Sequence, residues 1–176
     1  MSARDRFRIA VDALGWAMAT TERPIEDAGL TASVDRILAT LRAALQQGRT
    51  LAEATPQALS ELTQQQKQAE APGTMGIVLA LGLCFDELDA VLTPSRALEI
   101  LGQCYEFELV RICPDPIVTR AFEERSPRMR VILDYQQALL TTEWPGSVPS
   151  QVVKRPAARR PQPHSRSCRE WISSCI

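Results

Sequence analysis

At 176 residues, with 45% hydrophobic and 23% charged side chains, the chain has the balance of a soluble globular protein large enough for one substantial core. That composition excludes a fibrous chain or one polar throughout, and the single histidine, His164, leaves little room for histidine-based chemistry. The net charge of −1 conceals an asymmetry: six Lys or Arg and one Glu from Gln151 onward give +5, so the first 150 residues carry −6.

Residues Arg4 to about Thr20 read as an amphipathic helix, with Phe7, Val11, Leu14 and Met18 at helical spacing. Thr21 to Leu30 holds Pro24 and Gly29 and reads as a loop, whose acids Glu22, Glu26 and Asp27 read as solvated charges. A second helix follows, capped by Thr31 or Ser33 and ended by Gly48, with Val34, Ile37, Leu38, Leu41 and Leu45 on one face.

Four later helix starts share one device, a capping residue followed by proline: Thr55-Pro56, Thr93-Pro94, Asp115-Pro116 and Ser126-Pro127. The cap's side chain accepts from a free N–H at the helix start. Proline suits the next position, where its missing N–H would have had no partner. The four pairs predict helices near 56–68, from 94 to 104 or beyond, 116–125 and 127–142.

Met75 to Leu92 is the most apolar stretch, and up to Phe85 its only non-apolar residues are glycines. It predicts a central core helix, since a helix apolar all round needs cover all round, with an oligomer interface or apolar ligand groove as the alternative. It is shorter than the roughly 20 residues a bilayer span needs, so no transmembrane segment is predicted. Gly76, Ala80 and Cys84 form a row of small residues that lets another helix approach closely.

Tyr105 to Ile112 reads two ways. Leu98, Leu101, Tyr105, Leu109 and Ile112 fit a helix, while Tyr105, Phe107 and Leu109 alternating with Glu106 and Glu108 fit a strand. The helix is preferred because no partner strand is evident. From Gln151 to Arg169 the chain is rich in Pro, Arg, Ser and Gln, and disorder is expected.

Few constellations carry chemistry. There is no Walker-type phosphate loop and no GxGxxG motif. Cys84, Cys104 and Cys113 read as buried structural thiols, and His164, Cys168 and Cys175 are too loosely spaced for zinc. Asp86 and Asp89 share a helical face, which reads as a wet strip before it reads as a metal or acid–base pair. The tight Arg125-Ser126-Pro127 junction reads as a helical hairpin in preference to a helix-turn-helix, because Glu123 and Glu124 would face phosphates. Five cysteines without paired spacing, and an N-terminus without an apolar signal-like run, point to the cytoplasm.

The expectation is an all-α protein: a compact helical bundle of about six to seven helices over residues 1–146, with a disordered, basic, Pro/Arg/Ser-rich C-terminal tail over 147–176. The expected function is a non-enzymatic interaction or regulatory subunit of a larger assembly, engaging a protein partner or a second copy. Leu98, Leu101, Tyr105 and Phe107 are candidate contacts on condition that they are exposed. A nucleic-acid-binding accessory role is the alternative, using Lys154, Arg155, Arg159 and Arg160 with Arg128 and Arg130. A metal-assisted enzyme built on Asp86 and Asp89 is the third. No cofactor, metal ligand or catalytic residue is assigned.

Overall fold

The structure, a computed structural model, describes residues 1–48, 60, 62, 64, 73–85, 92–115 and 117–141. These residues are all-α, with six helices and no strand among them. They are α1 (Ala3–Thr20), α2 (Ala28–Gln47), α3 (Thr74–Phe85), α4 (Pro94–Ile112), α5 (Arg120–Arg125) and α6 (Pro127–Thr141). The helix expected near 56–68 falls largely outside the described residues, although Leu62 is described and buried. Asp86, Glu87, Asp89 and the tail from residue 147 also lie outside them.

Local chemistry explains most boundaries. At α1, Ser2 and Asp5 cap each other: the Asp5 amide donates to Ser2 Oγ (3.1 Å) and the Ser2 amide to Asp5 Oδ2 (2.9 Å). α4 starts as expected, with the Arg96 amide donating to Thr93 Oγ1 and Pro94 in the first turn. It continues unbroken to Ile112, so the segment with two readings is helix. Gly48 ends α2 in the left-handed region, at φ 64°.

Two boundaries correct the expectation. α2 begins at Ala28, not after Thr31 or Ser33, because the Asp27 carboxylate accepts from the amides of both Gly29 (2.8 Å) and Leu30 (3.0 Å). Asp27 is therefore a helix cap and not a free loop charge. α5 begins at Arg120, not at residue 116, because Thr119 Oγ1 takes the Phe122 amide.

The principal core joins α1, α2, α3 and α4, with Leu139 of α6. A second cluster, Tyr105, Leu109, Met129 and Ile132, fastens α6 to the other side of α4. The central position thus belongs to α4. α3, expected at the centre, instead lies along α4 with one face open: Met75 is 37% and Leu79 42% exposed.

The small-residue row does face α4. A side chain at Gly76 would stand 3.1 Å from the Gln103 carbonyl and 3.5 Å from Phe107 Cα, and Ala80 and Cys84 are buried. Just before α3, Gly73 has φ 76°, and a Cβ there would come 2.5 Å from the Phe107 carbonyl oxygen. Gly73→Ala is expected to lose at least the 1–2 kcal/mol or so of left-handed backbone strain, with the backbone overlap adding to it. Gly82 is the contrast, since nothing lies within 4 Å of a Cβ there. Gly82→Ala should raise stability by about 0.5–1 kcal/mol. Urea unfolding of the two variants checks both signs.

Candidate functional site

α4 carries two buried charged residues one turn apart, Glu108 and Arg111, and both hold the loop between α1 and α2. Glu108 Oε2 accepts from Thr21 Oγ1 (2.6 Å), and Oε1 accepts from the Glu22 amide (3.0 Å) and from Arg128 Nε (2.8 Å). The Glu108 and Arg128 side chains are only 2% and 12% exposed, so this is an interior ion pair. Arg128 also donates to Thr20 Oγ1 (2.9 Å) and lies over the Trp16 ring, its Cζ 5.0 Å from the centroid. Trp16 in turn stacks on Tyr135 at 4.3 Å.

Arg111 closes the same loop from its other end. Its Nη2 donates to the carbonyls of Arg23 (2.7 Å) and Pro24 (2.6 Å), and Nη1 reaches Thr74 Oγ1 (3.4 Å) at the start of α3. The Glu26 carboxylate, held below the usual range first by its own backbone hydrogen bond and then by Arg111, completes the contact. Burial pushes the Asp12 carboxyl up, although Arg8 and Arg42 oppose it, and it pushes the Tyr135 hydroxyl up, with the Asp12 charge second.

These groups could hold a substrate only by releasing the chain's own loop. The partners of the Glu108 carboxylate, Thr21, Glu22 and Arg128, all belong to the fold. Among the described residues no group of three His, Cys, Asp or Glu is placed to bind a metal ion. No helix among them is long and apolar enough to cross a membrane.

The expected site residues scatter. Leu101, Tyr105 and Phe107 are buried, at 1%, 5% and 0%, so the exposure required of partner contacts is not met. Their burial follows from the central position of α4, and the Tyr105 hydroxyl donates to Glu123 Oε1 (2.6 Å). Leu98 is half-buried. Arg128 faces inward to Glu108, while the exposed Arg130 donates to the Glu124 carbonyl (3.2 Å). Lys154, Arg155, Arg159 and Arg160 lie outside the described residues. α5 is only six residues long, and Arg128 at the start of α6 ties the α5–α6 junction to the core through Glu108.

The second reading of the apolar stretch, an oligomer interface or apolar groove, bears on α3's outer face. Met75, Leu79 and Gly82 recur at i, i+4 and i+7, and α3 contains no charged residue. Met75 and Leu79 are exposed, half-buried Leu83 packs against the core, and the space above Gly82 is open. The uniform apolarity that suggested a central helix was the available signal, and only the packing shows which side is uncovered.

The cysteines among the described residues are internal. Cys84, Cys104 and Cys113 are free thiols and buried. Burial pushes Cys84 from 9.0 up to about 12, and pushes Cys104 the same way, with the Cys84 charge second. An unfolded thiol ionises near 9.0 while folded Cys84 keeps its proton to about 12, so unfolding releases protons in that window. The stability from Cys84 is whole below the window and falls as pH rises through it. Urea midpoints taken from neutral pH upward should drop more steeply for the wild type than for Cys84→Ala.

No family model matches the chain, and comparisons with curated proteins and with solved structures give no match either.

Proposed function

We infer that the chain is a non-enzymatic interaction or regulatory subunit of a larger assembly, which docks an apolar helix of a protein partner on the outer face of α3. The observation that carries this is the uncharged face Met75–Leu79–Gly82, with its two large side chains exposed. Isolated exposed apolar residues need no explanation. Here the exposed pair shares a helix face with an open glycine, which a large side chain on an incoming helix could fill. The engagement of Glu108, Arg111 and Arg128 within the fold also supports a binding role over a catalytic one.

The test is a benzophenone amino acid placed at Leu79 and, as control, at exposed Asp134, in cells that express the protein. A discrete adduct from position 79 that is absent from 134 identifies the partner, or a second copy. Equal labelling from both positions sinks the proposal. Leu79→Lys keeps a good helix former at the site and should change stability by no more than about 0.5 kcal/mol. It should weaken binding of the identified partner tenfold or more, on the order of 1.4 kcal/mol.

The charge asymmetry supports a second reading, a nucleic-acid accessory role. With Arg128 paired to Glu108, that role rests on Lys154, Arg155, Arg159 and Arg160 with the exposed Arg130, and it requires binding that salt weakens steeply.

A further inference from the structure

Where α1, α4 and α6 meet, a small recess lies beneath the Trp16–Tyr135 stack. Cys104, Glu108, Arg128 and Gln136 also line it, among apolar neighbours Ala13, Ala17 and Ile132 that make most of its surface. Its volume is about 10 Å³. That is the lower limit for one water, which needs roughly 10–15 Å³. Nothing larger fits without moving a wall.

Gln136 lines this recess and is 4% exposed. Its Nε2 donates to the Leu101 carbonyl (2.9 Å). Its Oε1 is buried and has no partner, the single such side-chain atom among the described residues. Exchanging the amide's two ends would set oxygen against the Leu101 carbonyl, so the bond to Leu101 fixes the amide as it stands. A buried acceptor left empty is costly, and native interiors place water against such groups.

We propose that this recess is a hydration site holding one internal water, which donates a hydrogen bond to Gln136 Oε1. The lining supplies further partners. Glu108 Oε2 accepts from Thr21 Oγ1 and keeps a lone pair for a second donor. The Cys104 thiol, which burial keeps protonated, is a weak donor at the same recess. The water thereby adds the Gln136 side chain to the Glu108–Arg128 ion pair, beside the direct α4–α6 bonds from Arg128 to Glu108 and from Gln136 to Leu101.

The test is water–protein cross-relaxation NMR on the intact chain with glutamine side chains labelled. The Gln136 amide protons should show a water cross-peak with the sign of a long-lived internal molecule, while those of exposed Gln137 show the sign of fast surface exchange. Oxygen-17 relaxation dispersion should show one fewer long-lived water in Gln136→Met than in the wild type. No cross-peak at Gln136, with an unchanged dispersion amplitude in the variant, overturns the site. A thermal midpoint that rises in Gln136→Met also counts against it, because removing a dry, unpaired amide oxygen is stabilising whereas removing a hydrated one is not.

Discussion

Glu108→Ala is expected to destabilise the protein by about 3–5 kcal/mol, the range for breaking a buried pair by removing one partner. Three donors converge on this carboxylate from two places in the chain: the Thr21 hydroxyl and Glu22 amide in the α1–α2 loop, and Arg128 Nε on α6. Alanine leaves the Arg128 guanidinium inside the fold without its counter-charge. Its Thr20 bond and its place over Trp16 hold it there. The native pair itself need not add much net stability, because two charges had to leave water to form it. The double variant Glu108→Leu/Arg128→Met separates these effects. It removes both charges and should regain most of the loss, apart from the Thr21 and Glu22 donors. Urea unfolding followed by circular dichroism measures both. A loss below about 1 kcal/mol in Glu108→Ala would mean that Arg128 escapes to solvent and that the pair is not an interior clamp.

The same residue shows why parts of the fold could be read from sequence and others could not. The alternation Tyr105-Glu106-Phe107-Glu108-Leu109 imitates a strand only if both glutamates are taken as wet. Glu106 is half-buried, but Glu108 is 2% exposed, its burial met by partners 20 and 86 or 87 residues away. No local pattern encodes partners at that distance. Arg128, expected as a nucleic-acid contact, turns inward to a partner 20 residues away and is unreadable locally for the same reason.

Signals that act within one turn fared better. Thr93-Pro94 and Ser126-Pro127 each stand immediately before a helix. Asp115-Pro116 does not, because Thr119 supplies a cap closer to the helix. Asp27 was overlooked because the residues after it, Ala28 and Gly29, lack an apolar stripe, although its carboxylate holds two amides. The outer face of α3 could not be told from its inner face, since both are apolar and only the position of α4 distinguishes them.

Phe107→Ala tests that position of α4, and it should cost about 3–5 kcal/mol, as large aromatic truncations in a core do. Phe107 is wholly buried, and the principal core includes it with Ile77 and Val78 of α3 and Ile100 of α4. The cavity cannot readily close from the α3 side. Gly76 already stands against the Gln103 carbonyl and the Phe107 backbone, so the two helices have no slack there. The Arg111 guanidinium lies 5.4 Å from the centroid of the Phe107 ring, and alanine removes that contact as well. Arg111 keeps its bonds to the Arg23 and Pro24 carbonyls, so the α1–α2 loop should stay attached at its far end. The urea midpoint should therefore fall with little change in slope, the signature of lost stability without an altered unfolded state. Amide exchange at Ile25 and Glu26 should quicken no more than global unfolding requires. Local release of that loop, with the slope reduced, would instead mean that the Phe107 ring anchors Arg111, and that packing and loop attachment are one unit.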